Sequence, residues 1–165
     1  MAATCRAVLG SSWTQRVEIL ATDVDETILN VARERGDQDA DLATRLSVVP
    51  IDAKSSTVEL PIVGARFLRQ LQLGITYRQH NLMHDLPGSE LFDVIFCRNV
   101  TIYFSRNAQQ IVHFKLQSKL RPNGILALGH SERLLEKTHP MTLVGRTVFQ
   151  IGGDAMTVPR ITSCL

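Results

Sequence analysis

Aromatic side chains are scarce in this sequence. One Trp, two Tyr and six Phe make up 5% of 165 residues, so Leu, Ile and Val must fill most of any core. Cysteine is scarce too. Cys5, Cys97 and Cys164 are odd in number, far apart and without a C-x-x-C spacing. That pattern excludes a disulfide framework, offers no zinc set, and points to a reducing, cytoplasmic setting with no metal. There is no apolar run long enough to cross a bilayer, and residues 1–13 do not make the apolar region of a secretory signal, so a protein that is not membrane-inserted is expected. Nor does one sign of charge dominate. Lys plus Arg number 18 against 16 Asp plus Glu, and without a like-charge run there is no electrostatic case for nucleic acid or a membrane surface. Internal repeats and low-complexity segments are absent. What remains, 44% hydrophobic residues at a mean hydropathy of +0.02, suits one globular domain with one core.

The most informative stretch is residues 92–104. An apolar run, Phe92-Asp93-Val94-Ile95-Phe96-Cys97, breaks into the polar pair Arg98-Asn99 and turns apolar again at once. This reads as a buried strand carrying two polar side chains to its carboxyl end, where open α/β sheets bind their ligands. An Arg in that place is, on spacing alone, more often a solvated or ion-paired loop residue.

Elsewhere, residues 2–9 read as helical turns closed by Gly10. Val17 to Ala21 reads as a strand, followed by an acidic turn and a helix capped by Asp25 or Thr27. Residues 37–73 read as an irregular excursion, with a helical pattern over Val63–Leu73 only. Ile75 to His80 alternates as a half-buried strand does. Ser105 caps a helix with an apolar stripe at Ala108, Ile111, Val112, Leu116 and Leu120, leaving His113, Lys115, Gln117 and Lys119 for water. Arg121-Pro122-Asn123-Gly124 ends that helix, Ile125–Leu128 is a buried strand, and a short helix runs to Lys137. A closing hairpin is signalled by Gly145-Arg146. The fold class is therefore α/β, a mostly parallel sheet with an antiparallel C-terminal hairpin over residues 1–152, and 153–165 a flexible tail.

Four polar groups fall at strand ends in this scheme: Asp23, Asn81, Arg98-Asn99 and Gly129-His130-Ser131-Glu132. A carboxylate at Asp23 suits two ribose hydroxyls, or a helix cap. Asn81 suits an adenine edge, or a loop. Tyr103 on its own reads as a core aromatic. His80 and His84 read as surface histidines, and Cys97 as a small core residue.

Residues 92–104, continued by Arg121-Pro122-Asn123-Gly124 and Gly129-His130-Ser131-Glu132, closely resemble the chemotaxis receptor methyltransferases of the CheR type. Ile19-Leu20-Ala21-Thr22-Asp23 and His80-Asn81-Leu82 resemble that family's segments in the family's order. The resemblance implies a Rossmann-like class I fold, S-adenosylmethionine as cofactor with S-adenosylhomocysteine as product, and methyl esterification of glutamates on the cytoplasmic domain of a chemotaxis receptor. It also assigns residues: Asp23 to the ribose, Asn81 and Leu82 to the adenine side, Arg98 and Asn99 to the cofactor pocket, and Arg98 with Tyr103 to catalysis beside the receptor glutamate. The family's first, central strand and its cofactor-cradling turn have no counterpart ahead of Asp23, which implies an N-terminally truncated domain. Val58–Val63 is the one segment suited to fill the vacant slot beside the strand ending at Cys97. Two further readings stand beside this one. One is a non-catalytic domain that binds a protein partner. The other rests on Asp23-Val24-Asp25-Glu26-Thr27, which fits the D-x-D-x-T pattern of haloacid dehalogenase-type phosphatases, although the later Lys and acidic pair of that chemistry have no clear counterpart. Oligomeric state is not legible.

Overall fold

The computed structural model describes residues 1–35, 48–50, 57–59, 64–86, 88–134, 141–152 and 161–163. In chain order its elements are α1 (Ala2–Leu9), β1 (Ile19–Asp23), α2 (Glu26–Arg35), β2 (Val48–Pro50), β3 (Thr57–Glu59), α3 (Gly64–Gln72), β4 (Ile75–Gln79), β5 (Phe92–Cys97), α4 (Arg106–Ser118), β6 (Leu120–Leu128), β7 (Met141–Gly145), β8 (Val148–Ile151) and β9 (Ile161–Ser163). The chain divides into two compact units, residues 1–20 with 25–78 and residues 21–24 with 79–165.

In the first unit, Gly10 ends α1 at φ 72, a left-handed conformation that glycine adopts without a Cβ clash. A 3-10 turn over Gly10–Gln15 then buries Trp13, and Val17, Ile19, Leu29, Leu68 and Leu71 are buried in the same unit. Trp13 lies so close to Gly74 that a Cβ there would overlap its ring. The N–H of Ile19 donates to the Gly74 carbonyl at 3.1 Å, in the two-stranded sheet of β1 and β4. β1 starts two residues later than its apolar run suggests. Asp25 caps α2 through Thr27 N–H at 2.7 Å, and α2 turns Leu29 inward while leaving Ile28 half exposed. Arg33 fastens this helix to β4, donating to the Tyr77 carbonyl at 3.1 Å with its guanidinium over the Tyr77 ring. Within the segment read as irregular, β2 and β3 pair antiparallel with Val49 opposite Val58, and Gly64–Gln72 is helical. The rest of that segment lies outside the described residues.

The second unit holds a five-stranded sheet in the order β7-β8-β6-β5-β9. β5 pairs in parallel with β6, while β8 and β7 close the far side antiparallel, as the sequence pattern implies. On its other side β5 pairs in parallel with β9, Val94 opposite Ile161 and Phe96 opposite Ser163. The slot assigned to a missing central strand is therefore filled from within the segment read as a flexible tail. Of Val58–Val63, the alternative candidate, Val58 and Glu59 are occupied in the hairpin with β2, and residues 60–63 lie outside the described residues.

Ile95, Cys97, Val112, Leu116, Leu120, Leu126, Leu128, Met141, Phe149 and Ile151 form the core of this unit. Ser105 caps α4, accepting the Ala108 N–H at 3.3 Å. The buried arc of α4 is wider than the apolar stripe: His113 and Gln117 are each 1% exposed. Gln117 tolerates burial by donating back to the His113 carbonyl at 3.1 Å. Arg121 to Gly124 do not end the helix in a loop; they form an irregularity inside β6, whose partner register passes from Phe92–Leu120 to Val94–Ile125. Asn123 takes φ 65 there, a conformation Asn accepts more readily than most residues. The closing turn is Arg146-Thr147, since Gly145 is already paired with Val148. Thr147 sits at φ 60, held by its hydroxyl to the Leu128 carbonyl at 3.0 Å and by its own carbonyl to Leu128 N–H at 2.9 Å. The expected short helix ending at Lys137 reaches beyond the described residues.

Deleting residues 153–165 would strip β5 of its partner β9 and leave buried backbone groups unpaired. Urea unfolding should show the deletion variant roughly 2 kcal/mol or more less stable than the full chain, taking about 1 kcal/mol per lost ladder hydrogen bond. Equal midpoints for the two proteins would remove β9 from the sheet.

Candidate active site

The ends of β5 and β6 are tied together by one carboxylate. Glu132, 4% exposed, accepts the N–H of Asn99 at 2.9 Å and of Gly129 at 2.6 Å on Oε2. Its Oε1 accepts the N–H of Val100 at 3.1 Å, the N–H of Thr101 at 2.7 Å and the Thr101 hydroxyl at 2.7 Å. These bonds offset the cost of burying the charge. Burial alone would raise the carboxyl, but the hydrogen bonds from Thr101, Gly129 and Asn99 together win and hold it below its ordinary value of 4.5. Thr101 opens the short 3-10 turn Thr101–Tyr103, so Glu132 serves as an N-terminal cap supplied from elsewhere in the chain.

This anchoring holds Asn99 at φ 60. It also explains Gly129: a Cβ there would lie 2.5 Å from Asn99 Oδ1 and 2.6 Å from Glu132 Oε2. Nearby, His113 is buried with neither ring nitrogen hydrogen-bonded. Burial pushes its imidazole below the usual 6.5, and the Glu132 charge pulls it part of the way back.

The segment after β4 is built by local turn chemistry. His80 N–H donates to the Asp23 carbonyl at 2.8 Å, and Asn81 accepts His84 N–H on its carbonyl at 2.8 Å and Met83 N–H on its side chain at 2.9 Å. Two lysines fasten the loop from Met83 to Gly88 onto α4 and its C-terminal end. Lys115 donates to the Met83 carbonyl at 2.6 Å and pairs with Asp85 at 3.0 Å, which lowers the Asp85 carboxyl. Lys119 donates to the Gly88 carbonyl at 2.6 Å.

A cleft of about 500 Å³ results, with Thr22, Asp23, Val24, His80, Asn81, Leu82, Met83, Asn99, Val100, Tyr103 and Phe104 around it. Of the residues singled out from sequence, Asp23, Asn81, Leu82, Asn99 and Tyr103 come together here. Arg98 does not line the cleft; it is exposed, one residue before Asn99. Tyr103 is 82% exposed, so the core-aromatic reading fails. His80, read as a surface histidine, is half-buried in the cleft wall. Sequence reasoning placed Glu132 on this rim without a role, and Met83, Val100 and Phe104 were missed. The advance signal for these three was adjacency, Met83 to Leu82, Val100 to Asn99 and Phe104 to Tyr103, the last two inside the 92–104 stretch.

The CheR methyltransferase, SAM binding domain family matches this sequence over residues 1–149. The chain belongs to this family. Among curated relatives it is 36% identical over 137 residues to a "Probable chemotaxis protein methyltransferase" of Rhizobium etli, covering 81% of this chain and 50% of that protein. It is 34% identical over 154 residues to "Chemotaxis protein methyltransferase 2" of Pseudomonas aeruginosa, covering 90% of this chain and 53% of that one. With the Escherichia coli "Chemotaxis protein methyltransferase" the identity is 31% over 143 residues, 84% and 49% of the two chains. The chain thus spans about half the length of the curated relatives it matches. S-adenosylmethionine is the cofactor of this family, and the mixed α/β sheet is that of a class I methyltransferase domain. Neither alternative reading gains from the match, and Asp25 of the D-x-D-x-T pattern is engaged in capping α2. Among the described residues no cluster of three or more His, Cys, Asp or Glu could hold a metal ion, and no helix is long and apolar enough to cross a membrane.

The fold's pH response should have two separate parts. His113 has a depressed folded value, so its contribution is intact above about 6.5 and stability falls as pH drops below that. Glu132, also depressed, contributes stability in full above about 4.5 and loses it as pH falls further. Thermal melts across pH should therefore show a decline beginning near pH 6.5 that His113→Leu removes, and a further one below pH 4.5 that Glu132→Gln removes. Parallel profiles for wild type and both variants would contradict this assignment.

Proposed function

We propose that this domain binds S-adenosylmethionine in the cleft between Asp23, Asn81 and Asn99 and methyl-esterifies glutamate side chains on the cytoplasmic domain of a chemotaxis receptor. One observation carries the reading. In a chain of the CheR family, five of the side chains assigned by resemblance, drawn from separate segments, line a single cleft. About 500 Å³ lies within the usual range of small-molecule sites. The chemistry of its wall suits an adenosine: a carboxylate at Asp23 for ribose hydroxyls, an amide at Asn81 for a base edge, and Leu82, Met83, Val100 and Phe104 as apolar surface beside a ring.

When bound, the cofactor supplies an electrophilic methyl on a sulfonium. The acceptor glutamate is already ionised at neutral pH, so this chain's residues need to align it and exclude water, not remove a proton. Asn99, pinned at φ 60 by the hydrogen bond of its N–H, belongs to the cofactor wall. Arg98 stands outside that wall and exposed, where its guanidinium can receive an incoming carboxylate through two parallel hydrogen bonds. Tyr103, also exposed and on the cleft lining, supplies the surface beside which a macromolecular substrate docks. A receptor substrate of this kind places the domain in the cytoplasm.

Isothermal titration of the folded chain with S-adenosylhomocysteine should give saturable heat, and Asp23→Ala should weaken binding about tenfold or more, the effect of losing hydrogen bonds to a charged group. Absence of heat at millimolar ligand would sink the cofactor reading. Labelled methyl should pass from S-adenosylmethionine to receptor-containing membranes, and Arg98→Ala should abolish that transfer while leaving S-adenosylhomocysteine affinity within about threefold; loss of both together would instead put Arg98 in the cofactor wall.

A further inference from the structure

The cleft's β5 side is irregular backbone, and irregular backbone needs something to hold it. Asn99, Val100 and Thr101 present three successive N–H groups in the same direction, and Gly129 presents a fourth from the end of β6; all four donate to the two oxygens of Glu132. The Thr101 hydroxyl adds a fifth donor. Of the residues these bonds fix, Asn99 and Val100 line the cleft, and the turn starting at Thr101 delivers Tyr103 and Phe104 to the same lining. Glu132 itself does not line it. Its influence on a ligand is therefore indirect, through the loop it holds.

From this geometry we infer that Glu132 is a positioning residue for the cofactor cleft: its carboxylate sets the left-handed conformation of Asn99 and the entry of the Thr101–Tyr103 turn, and thereby the affinity of the site. The inference rests on the cofactor reading above. Five donors converge on two acceptor oxygens, so the requirement is for an acceptor-only group. An amide of the same shape offers one oxygen and turns an NH₂ toward donors that already point at it. Glu132→Gln thus keeps the volume and removes the anchoring at one end, leaving either the Asn99 and Gly129 N–H pair or the Val100 and Thr101 set without an acceptor.

The test compares wild type, Glu132→Gln and Gly74→Ala. The last crowds the Trp13 ring in the first unit, so it lowers stability without touching the cleft lining. With S-adenosylhomocysteine as the probe in isothermal titration, Glu132→Gln should raise Kd about tenfold or more, while Gly74→Ala leaves Kd within about twofold. Amide hydrogen exchange, which needs no ligand, should show Asn99, Val100, Thr101 and Gly129 protected in wild type and exposed to exchange in Glu132→Gln, with β5 and β6 still protected. Unchanged Kd in a folded Glu132→Gln, or equal weakening in Gly74→Ala, would overturn the inference while leaving the cofactor reading intact. Wild type that binds no S-adenosylhomocysteine would overturn both, and the exchange data would then show whether Glu132 still anchors the loop.

Discussion

One buried carboxylate with five donors finishes the pair of parallel strands β5 and β6. Where β5 and β6 end, the backbone leaves the ladder and its N–H groups lose their partners; in a protein interior each such orphan costs about 1–3 kcal/mol. Glu132 collects four of them and the Thr101 hydroxyl. The exchange also runs the other way, because a charge that is 4% exposed is tolerated only when its lone pairs are filled. Donor loop and acceptor side chain therefore require each other, and Gly129 is the residue small enough to let them meet. The cleft is a by-product of that settlement: Asn99 and Val100 stand where their N–H groups are held, and the turn carrying Tyr103 and Phe104 starts from the same anchor.

Much of this was readable from residues in a row. The break from an apolar run into Arg98-Asn99 marked a strand end, and it is one. Asp25, Ser105 and Gly10 announced helix termini by side-chain chemistry that acts within a turn. Family resemblance carried further than spacing, because it spoke for combinations of distant residues: Asp23, Asn81, Leu82, Asn99 and Tyr103 do share one cleft. Arg98 does not share it, and neighbouring positions in a turn diverge in direction too sharply for sequence adjacency to decide the matter.

What sequence left dark is what depends on contacts between far-apart residues. Periodicity on α4 marked the greasiest stripe and overlooked that His113 and Gln117, at its margin, are covered as well, since a helix packed on a sheet buries an arc broader than its apolar positions alone. Glu132 was one polar residue in a polar tetrad until its partners at Asn99 and Thr101 were seen. The hairpin signal at Gly145-Arg146 was displaced by one residue because Thr147 is tied to Leu128, a bond with no local signature. β9 was invisible for the plainest reason: three residues including Thr and Ser carry no hydrophobic pattern, and only the open edge of β5 gives them a partner.

That last pairing has a consequence for the order of events during synthesis. Val94 meets Ile161, so roughly 65 further residues must leave the ribosome before β5 gains its second neighbour. Through that interval the growing chain displays an unpaired parallel edge on an apolar strand, the kind of surface that recruits strangers.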